Sequence, residues 1–185
     1  MRKEFLTYGY EKASLNRISA AAGVTAAALY RHFAGKEDMF YFLVKDALDD
    51  FEKIRASAES RMAVQEEYSP FQADWAEVWT DYIYSHYEGV KLLICRSSGS
   101  RFEHFEEELI RAETEGNQAY ASVLKRNGKT EKDLTPLQWH ILSASYVHLI
   151  FETVRQDMTY DEAKEHMRFV TQLLYPGWKQ IFGIE

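Results

Sequence analysis

The sequence predicts an all-α protein with a helix-turn-helix at its head, and three observations carry that expectation. Only 3 prolines and 9 glycines interrupt 185 residues, and no segment sustains the two-residue alternation of a strand. Apolar and aromatic side chains instead recur at three- and four-residue spacing, as in Trp75, Trp79, Tyr82 and His86. The third observation is the stretch ISAAAGVTAAALYRHF over residues 18–33, where two alanine triplets flank one glycine ahead of Leu29-Tyr30-Arg31-His32-Phe33. So little side-chain volume lets a backbone approach a neighbouring helix, or something outside the protein.

A short first helix is expected over residues 3–8, stopped by Gly9. Ser14 is placed to cap a second helix over 15–22, which Gly23 ends as a left-handed C-cap; Thr25 caps a third over 26–33. In a helix-turn-helix the first helix crosses the second, so its inward positions must be small or apolar. Ile18, Ala22, Val24 and Leu29 are the expected core there, with Ser19 and Ala21 keeping the crossing close. The triplet Ala26 to Ala28 then falls on the first turn of the helix that such units set into the major groove, where alanine permits close backbone approach and offers a methyl to thymine.

Gly35 opens a fourth helix running to about 57, with Glu37 and Asp38 in its first turn and Lys53 and Arg55 near its end, as the helix dipole favours. Residues 59–70 read as a loop. Further helices are expected over 71–87, 90–95 and 101–126, then a loop over 127–136. Pro136 suits the first position of a helix reaching about 156, and Asp161 starts the last helix, which Pro176 is expected to kink or interrupt.

A chain of 185 residues can bury a core of good size, roughly 70% of its unfolded surface. No apolar run approaches the ~20 residues of a membrane span, and the start lacks a signal-peptide core, so a soluble cytoplasmic protein without membrane contact is expected. The single Cys95 excludes an internal disulfide framework. Residues 1–45 carry seven basic and four acidic side chains, the rest 15 basic and 25 acidic, so a head of +3 sits on a body of −10. That asymmetry suits a nucleic-acid contact made by the head alone; it is also within the fluctuation of an ordinary surface.

At these residues the chain resembles a known family. Gly9-Tyr10, Ala22-Gly23-Val24, Thr25, Leu29-Tyr30-Arg31-His32-Phe33 and Lys36-Glu37 stand in the order and register of the DNA-binding domain of tetracycline-repressor-like (TetR) regulators. The likeness covers about the first 45 residues, and five elements in order make it specific. It implies a DNA-binding domain over 1–45 and a helical ligand-binding and dimerisation domain over 46–185. It further implies that Thr25, Tyr30, His32 and Lys36 contact phosphates of double-stranded operator DNA, while Ala26, Ala27 and Arg31 lie where base edges or nearby backbone are read. Tyr30 alternatively packs the head's core, as Phe33 is expected to, and Arg17 either reaches a phosphate or is simply solvated. Gly35 stands where the family usually has a serine cap, which glycine replaces tolerably. Family members carry a turn or two more of first helix, so the resemblance implies a native start upstream of Met1 or a weaker grip on phosphate.

In the body, Trp79, Tyr82 and His86 form one stripe with Trp75, Phe102 and Phe105 another with Leu109, and Trp139, Ser143 and Tyr146 a third with Ile150. Such stripes are either plain core or the wall of a pocket for an apolar or aromatic effector, with Tyr82, His86, Ser143 and Tyr146 as the orienting polar groups. By analogy with the family the last two helices join a homodimer, through apolar faces that include Val147, Phe151, Phe169, Leu173, Leu174, Trp178 and Ile181. A palindromic operator follows, because two heads about 34 Å apart read both half-sites from one face of DNA.

The function expected is a ligand-responsive transcriptional repressor. Its rivals are a ligand-binding dimer of the same fold that has lost DNA, and an all-α enzyme. For the enzyme, Cys95, Ser97, Ser98, Ser100 and His104 lie close in sequence without an evident base partner, and no histidine follows a glutamate by three, as di-iron bundles need. Metal ligation by His140 and His148, two helical turns apart, is conceivable, but satisfied or solvated histidines are the expectation, and no metal is called for. No cofactor is called for.

Overall fold

The computed structural model describes residues 1–64, 74–128, 130 and 133–183, and the regular structure among them is entirely α-helical. The head consists of α1 (Arg2–Lys12), α2 (Leu15–Ala21) and α3 (Ala26–Tyr30). α4 (Lys36–Val64) leads out of it into α5 (Asp74–Ser85), α6 (Tyr87–Cys95), α7 (Phe105–Arg126), α8 (Pro136–Arg155) and α9 (Tyr160–Phe182).

Local chemistry sets the head. Gly9 takes φ 73 and ψ 168, a conformation open essentially to glycine alone, and breaks α1 as expected, although a last turn continues to Lys12. The Ser14 side chain accepts from the Arg17 N–H, and Thr25 does the same for Ala28. α2 ends in a Schellman turn: Gly23 at φ 66 donates to the Ala20 carbonyl at 3.2 Å, and Val24 to Ser19 at 3.0 Å. The turn residues Ala22 and Val24, expected in the core, are exposed, while Ile18 and Ser19 are buried. Helices of seven and five residues offer little surface to bury the turn between them. α3 also stops at Tyr30 rather than Phe33, whose ring swings against Phe42 edge-on at 5.6 Å.

Elsewhere the ends shift. α4 continues to Val64 instead of stopping near 57, because its last residues hold no proline or glycine and are mostly good helix formers. Positions 65–73, which include half of the expected loop and the expected start of the next helix, lie outside the described residues, as does the side chain of Trp75. α7 begins at Phe105, after turns over 101–104. Pro136 stands at the start of α8 beside a Thr135–Gln138 capping box, and Thr159–Glu162 form another ahead of α9. α9 is not interrupted at Pro176. The carbonyl that proline deprives of a partner belongs to Gln172, and both residues face solvent, which can replace the lost bond.

Two apolar clusters form the interior. The first runs unbroken from the head (Phe5, Ile18, Met39, Phe40) along α4 (Val44, Ala47, Phe51) into α5, α6, α7 and α8 (Ile83, Leu92, Leu109, Ile150), so it crosses the sequence boundary after residue 45. The second gathers Tyr120, Leu124, Trp139, Trp178 and Phe182 at the far end of the body. Val147, Phe151 and Trp178, expected on a dimer surface, are buried within the protomer; Phe169 and Leu173 are exposed.

Candidate functional site

At the head, the side chains expected to meet DNA divide into two sets. Tyr30, Arg31 and His32 stand exposed at and just beyond the end of α3, and no hydrogen bond or ion pair among the described residues occupies them. Ala27 is exposed and Ala26 half-buried on the first turn of the same helix. Thr25 accepts the Ala28 N–H at 3.2 Å, which leaves its hydroxyl proton available to a phosphate oxygen. The second set is engaged by partners within the chain. Arg17 pairs with Glu4 through Nη2 at 2.6 Å, donates Nε to the same oxygen at 2.7 Å and Nη2 to the Lys12 carbonyl at 2.8 Å, and lies over the Tyr8 ring. The Arg17 guanidinium in turn holds the Glu4 carboxyl below its ordinary range. Lys36 donates Nζ to the Glu11 carbonyl at 3.0 Å and sits 4.6 Å above the Tyr10 ring.

Tyr10 fastens this head to the body. Its ring packs edge-on to Phe40 at 5.3 Å, its hydroxyl donates to Glu37 at 2.7 Å, and its N–H donates to the Arg96 carbonyl at 2.8 Å. Burial, with the Glu37 carboxylate beside it, pushes the phenol up to about 12. Arg96 returns a bond from Nε to the Leu6 carbonyl at 2.8 Å. Sequence patterns give no sign of this pairing between residues so far apart in the chain.

In the body the eight residues expected around an effector separate into groups. Trp79, Tyr82 and Phe105 surround Phe51 with ring centroids 6.0 to 6.2 Å apart. The Tyr82 hydroxyl donates to the Ala47 carbonyl at 2.9 Å, and burial raises its pKa. His86 stands at the α5–α6 junction with Nε2 2.9 Å from Asp50, whose carboxyl Lys53 and His86 hold down. Phe102 lies apart, against Phe40 and Tyr41 at the foot of the head. Trp139 belongs to the second cluster, against Phe182 at 5.7 Å. Tyr146 packs against both clusters. Ser143, fully buried, accepts from Asn117 Nδ2 at 3.2 Å. The same nitrogen lies 3.4 Å from Glu113 Oε1. Phe51, Asn117 and Glu113 are additions to the expected site, and each had a signal: Phe51 continues the Phe40, Val44, Ala47 spacing, and Glu113 and Asn117 interrupt the spacing of Phe105, Leu109, Tyr120 and Leu124.

Among the described residues no three His, Cys, Asp or Glu side chains are grouped to hold a metal, and no helix is long and apolar enough to cross a membrane. His148, half of the suggested metal pair, is 2.8 Å from Glu106, which also pairs with Arg155.

A capped recognition helix, a Schellman turn and a bundle behind them define a helix-turn-helix protein. Residues 2–41 match the model for bacterial regulatory proteins of the tetR family. Over those residues the head is similar to that family's regulators. The chain is 32% identical over 76 residues to an HTH-type transcriptional repressor of Mycobacterium tuberculosis, a match that covers 40% of each chain. It is 41% identical over 49 residues, 26% of each chain, to an HTH-type transcriptional regulator of Staphylococcus aureus. The matches therefore span less than half the length of these relatives. Two solved structures share the fold along the chain: a Clostridium perfringens protein described as a fatty acid metabolism regulator, with a TM-score of 0.59 at 17% identity over 100% of this chain and 95% of that one, and the fatty acid degradation regulator FadR of Bacillus halodurans, with 0.56 at 19% identity over 94% and 92%.

Proposed function

We propose that this chain is a cytoplasmic, homodimeric transcriptional repressor that leaves a palindromic operator when its helical body takes up a small apolar or aromatic effector. The observation that carries the reading is the state of Tyr30, Arg31 and His32: a phenol, a guanidinium and an imidazole exposed together at the end of a capped helix, with no side-chain partner among the described residues. Donors held at one edge of a helix-turn-helix suit phosphate oxygens and base edges. Arg17 and Lys36 take part only by leaving their present partners, so they are secondary contacts. The names of the two structural neighbours suggest that the effector has a long apolar portion.

A ligand acts on DNA binding by its unequal affinity for two arrangements of the heads. The Tyr10–Arg96 bond and the unbroken first cluster supply a rigid route from body to head. The test is fluorescence anisotropy with DNA from just upstream of the chain's own gene, titrated across salt. Tight binding that falls steeply with salt and exceeds binding to a scrambled duplex supports the regulator. Equal binding to both would leave a ligand-binding dimer that no longer reads DNA.

A further inference from the structure

α6 is bonded to the head along one side and to the turn between the last two helices on another. It runs beside α1 in the same direction. Near the start of both helices Arg2 Nη1 pairs with Glu88 Oε2 at 2.8 Å. Near their ends Tyr10 donates its N–H to the Arg96 carbonyl at 2.8 Å, and Arg96 Nε donates to the Leu6 carbonyl at 2.8 Å. α4 closes in so nearly that a Cβ added at Gly89 would lie 3.3 Å from Ala47 Cβ and 3.5 Å from the Leu43 carbonyl oxygen. A helix packed this closely shifts together with its neighbours or not at all.

The second attachment is at the α8–α9 turn. The Tyr87 hydroxyl donates to Asp157 Oδ1 at 2.8 Å, and the Lys91 ammonium pairs with the same oxygen. Lys91 first, and then Tyr87, hold the Asp157 carboxyl below its ordinary range. Two further phenols fasten the turn to α5: Tyr84 donates to the Met158 carbonyl at 2.5 Å, and Tyr160 to Asp81 at 2.7 Å. Among the described residues Asp157 alone has a positive φ, 52, without being glycine. It fills the left-handed position of a Schellman turn in which Met158 donates to the Thr153 carbonyl at 3.0 Å. Glycine takes that conformation at least cost and would close the turn equally well. What aspartate adds there is a carboxylate within reach of α6.

We propose that α6 is a strut between the α8–α9 hairpin and the head, anchored by Asp157, and that it sets how the recognition helix is presented to DNA. The inference rests on the reading of α8 and α9 as the dimer surface and adds the element through which that surface governs the heads. α4 carries the chain between head and body, while α6 fixes their relation by bonds to both. Whatever moves the α8–α9 turn then moves α1 with it.

Hydrogen exchange of the whole chain tests the strut without DNA. Asp157→Gly keeps the turn and removes the carboxylate; Lys91→Met cuts the same tie from α6 and decides alone if Asp157→Gly fails to fold. Each should speed exchange of the α1 amides by about fivefold or more, while α8 and α9 away from the turn stay within about twofold of wild type. Tyr160→Phe keeps the ring, loses only the bond from the turn to α5, and should leave α1 as in wild type. Unchanged α1 exchange in Lys91→Met, or an equal rise in Tyr160→Phe, overturns the strut. Anisotropy then tests what the strut governs: the tie-cutting variants should stay dimeric and bind operator about fivefold more weakly. Operator affinity equal to wild type overturns the role in DNA presentation. A wild type that is monomeric or binds no operator defeats the regulator reading instead, and the exchange result still judges the strut.

Discussion

The backbone N–H of Tyr10 donates to the carbonyl of Arg96 at 2.8 Å, at the point where α1 breaks. Gly9 makes that bond possible, because its φ of 73 and ψ of 168 turn the next N–H away from the helix axis toward the end of α6. Arg96 Nε reaches back to the Leu6 carbonyl at 2.8 Å, so the two strands of contact close a ring between head and body. A helix break that would weaken an isolated head here joins it to the bundle.

Gly9→Ala should therefore destabilise the whole protein. The added Cβ would find ordinary space, 3.8 Å from the Arg96 oxygen, so the cost is conformational. It should be about 1–3 kcal/mol, read as a fall in Tm of roughly 2–4 °C per kcal/mol. An unchanged melt would show that the break is not held by glycine.

The exposed donors and the internally held ones should behave differently. Arg31→Ala and His32→Ala should leave the melting temperature unchanged and weaken operator binding. Changing Arg31 should also alter sequence preference if it reads a base, whereas Lys36→Ala should weaken all duplexes alike. Anisotropy on matched and scrambled duplexes separates these outcomes, and the reverse pattern would exchange the two roles.

What was legible in the sequence was what short-range chemistry decides. Ser14, Gly23, Thr25 and Pro136 each fix a helix end through their own bonds or dihedral, and each sits where its residue type places it. Ala22 and Val24 were misplaced because burial in the turn depends on how far two very short helices overlap, which no local pattern encodes. α9 passes Pro176 because the freed carbonyl faces water, again a matter of tertiary surroundings. In the body, spacing found the aromatic stripes but not which would meet. Trp139 and Trp79 look alike in sequence and belong to separate clusters.

Acid should loosen the head through Glu4. Its carboxyl is held below the ordinary 4.5 first by Arg17, and it also accepts the Ser14 N–H at 2.9 Å. A lowered carboxylate pKa contributes stability above the unfolded value and loses it as pH falls through the folded one. Arg17→Ala should thus lower the urea midpoint at neutral pH, and the gap to wild type should close below about pH 4, near the intrinsic range of glutamate. A gap of equal size at acid pH would mean that Arg17 acts through its packing on Tyr8 instead.

Glu113 carries the opposite sign. Burial raises its carboxyl above the ordinary 4.5, so the protonated form is favoured in the folded protein and stability falls as pH rises beyond the unfolded value. Glu113→Gln keeps the shape without the charge and should raise the Tm of the ligand-free protein at pH 8, by roughly 2–4 °C for each kcal/mol relieved. The difference should vanish at acid pH, where both side chains are neutral. Scanning calorimetry at the two pH values decides it, and a destabilised Gln variant at pH 8 would show that the charged carboxyl is better accommodated than its surroundings suggest.

The last two helices leave one apolar face uncovered. Leu137 and Ile141 on α8 are 65% and 54% exposed, and Phe169 and Leu173 on α9 are 58% and 56% exposed. Each pair is spaced by four, so each lies along one side of its helix. An isologous contact would bring the same face of a second copy against it and form a four-helix interface about a two-fold axis. Val147, Phe151 and Trp178 are buried within the protomer and would take no direct part in that contact. Sedimentation velocity should find a wild-type dimer and a Leu173→Glu monomer with little change in helical content. The monomer should also lose most of its operator affinity, because nothing then ties two recognition helices about 34 Å apart, and a single half-site contact gains nothing from its twin. A Leu173→Glu protein that still sediments as a dimer would move the interface to another surface.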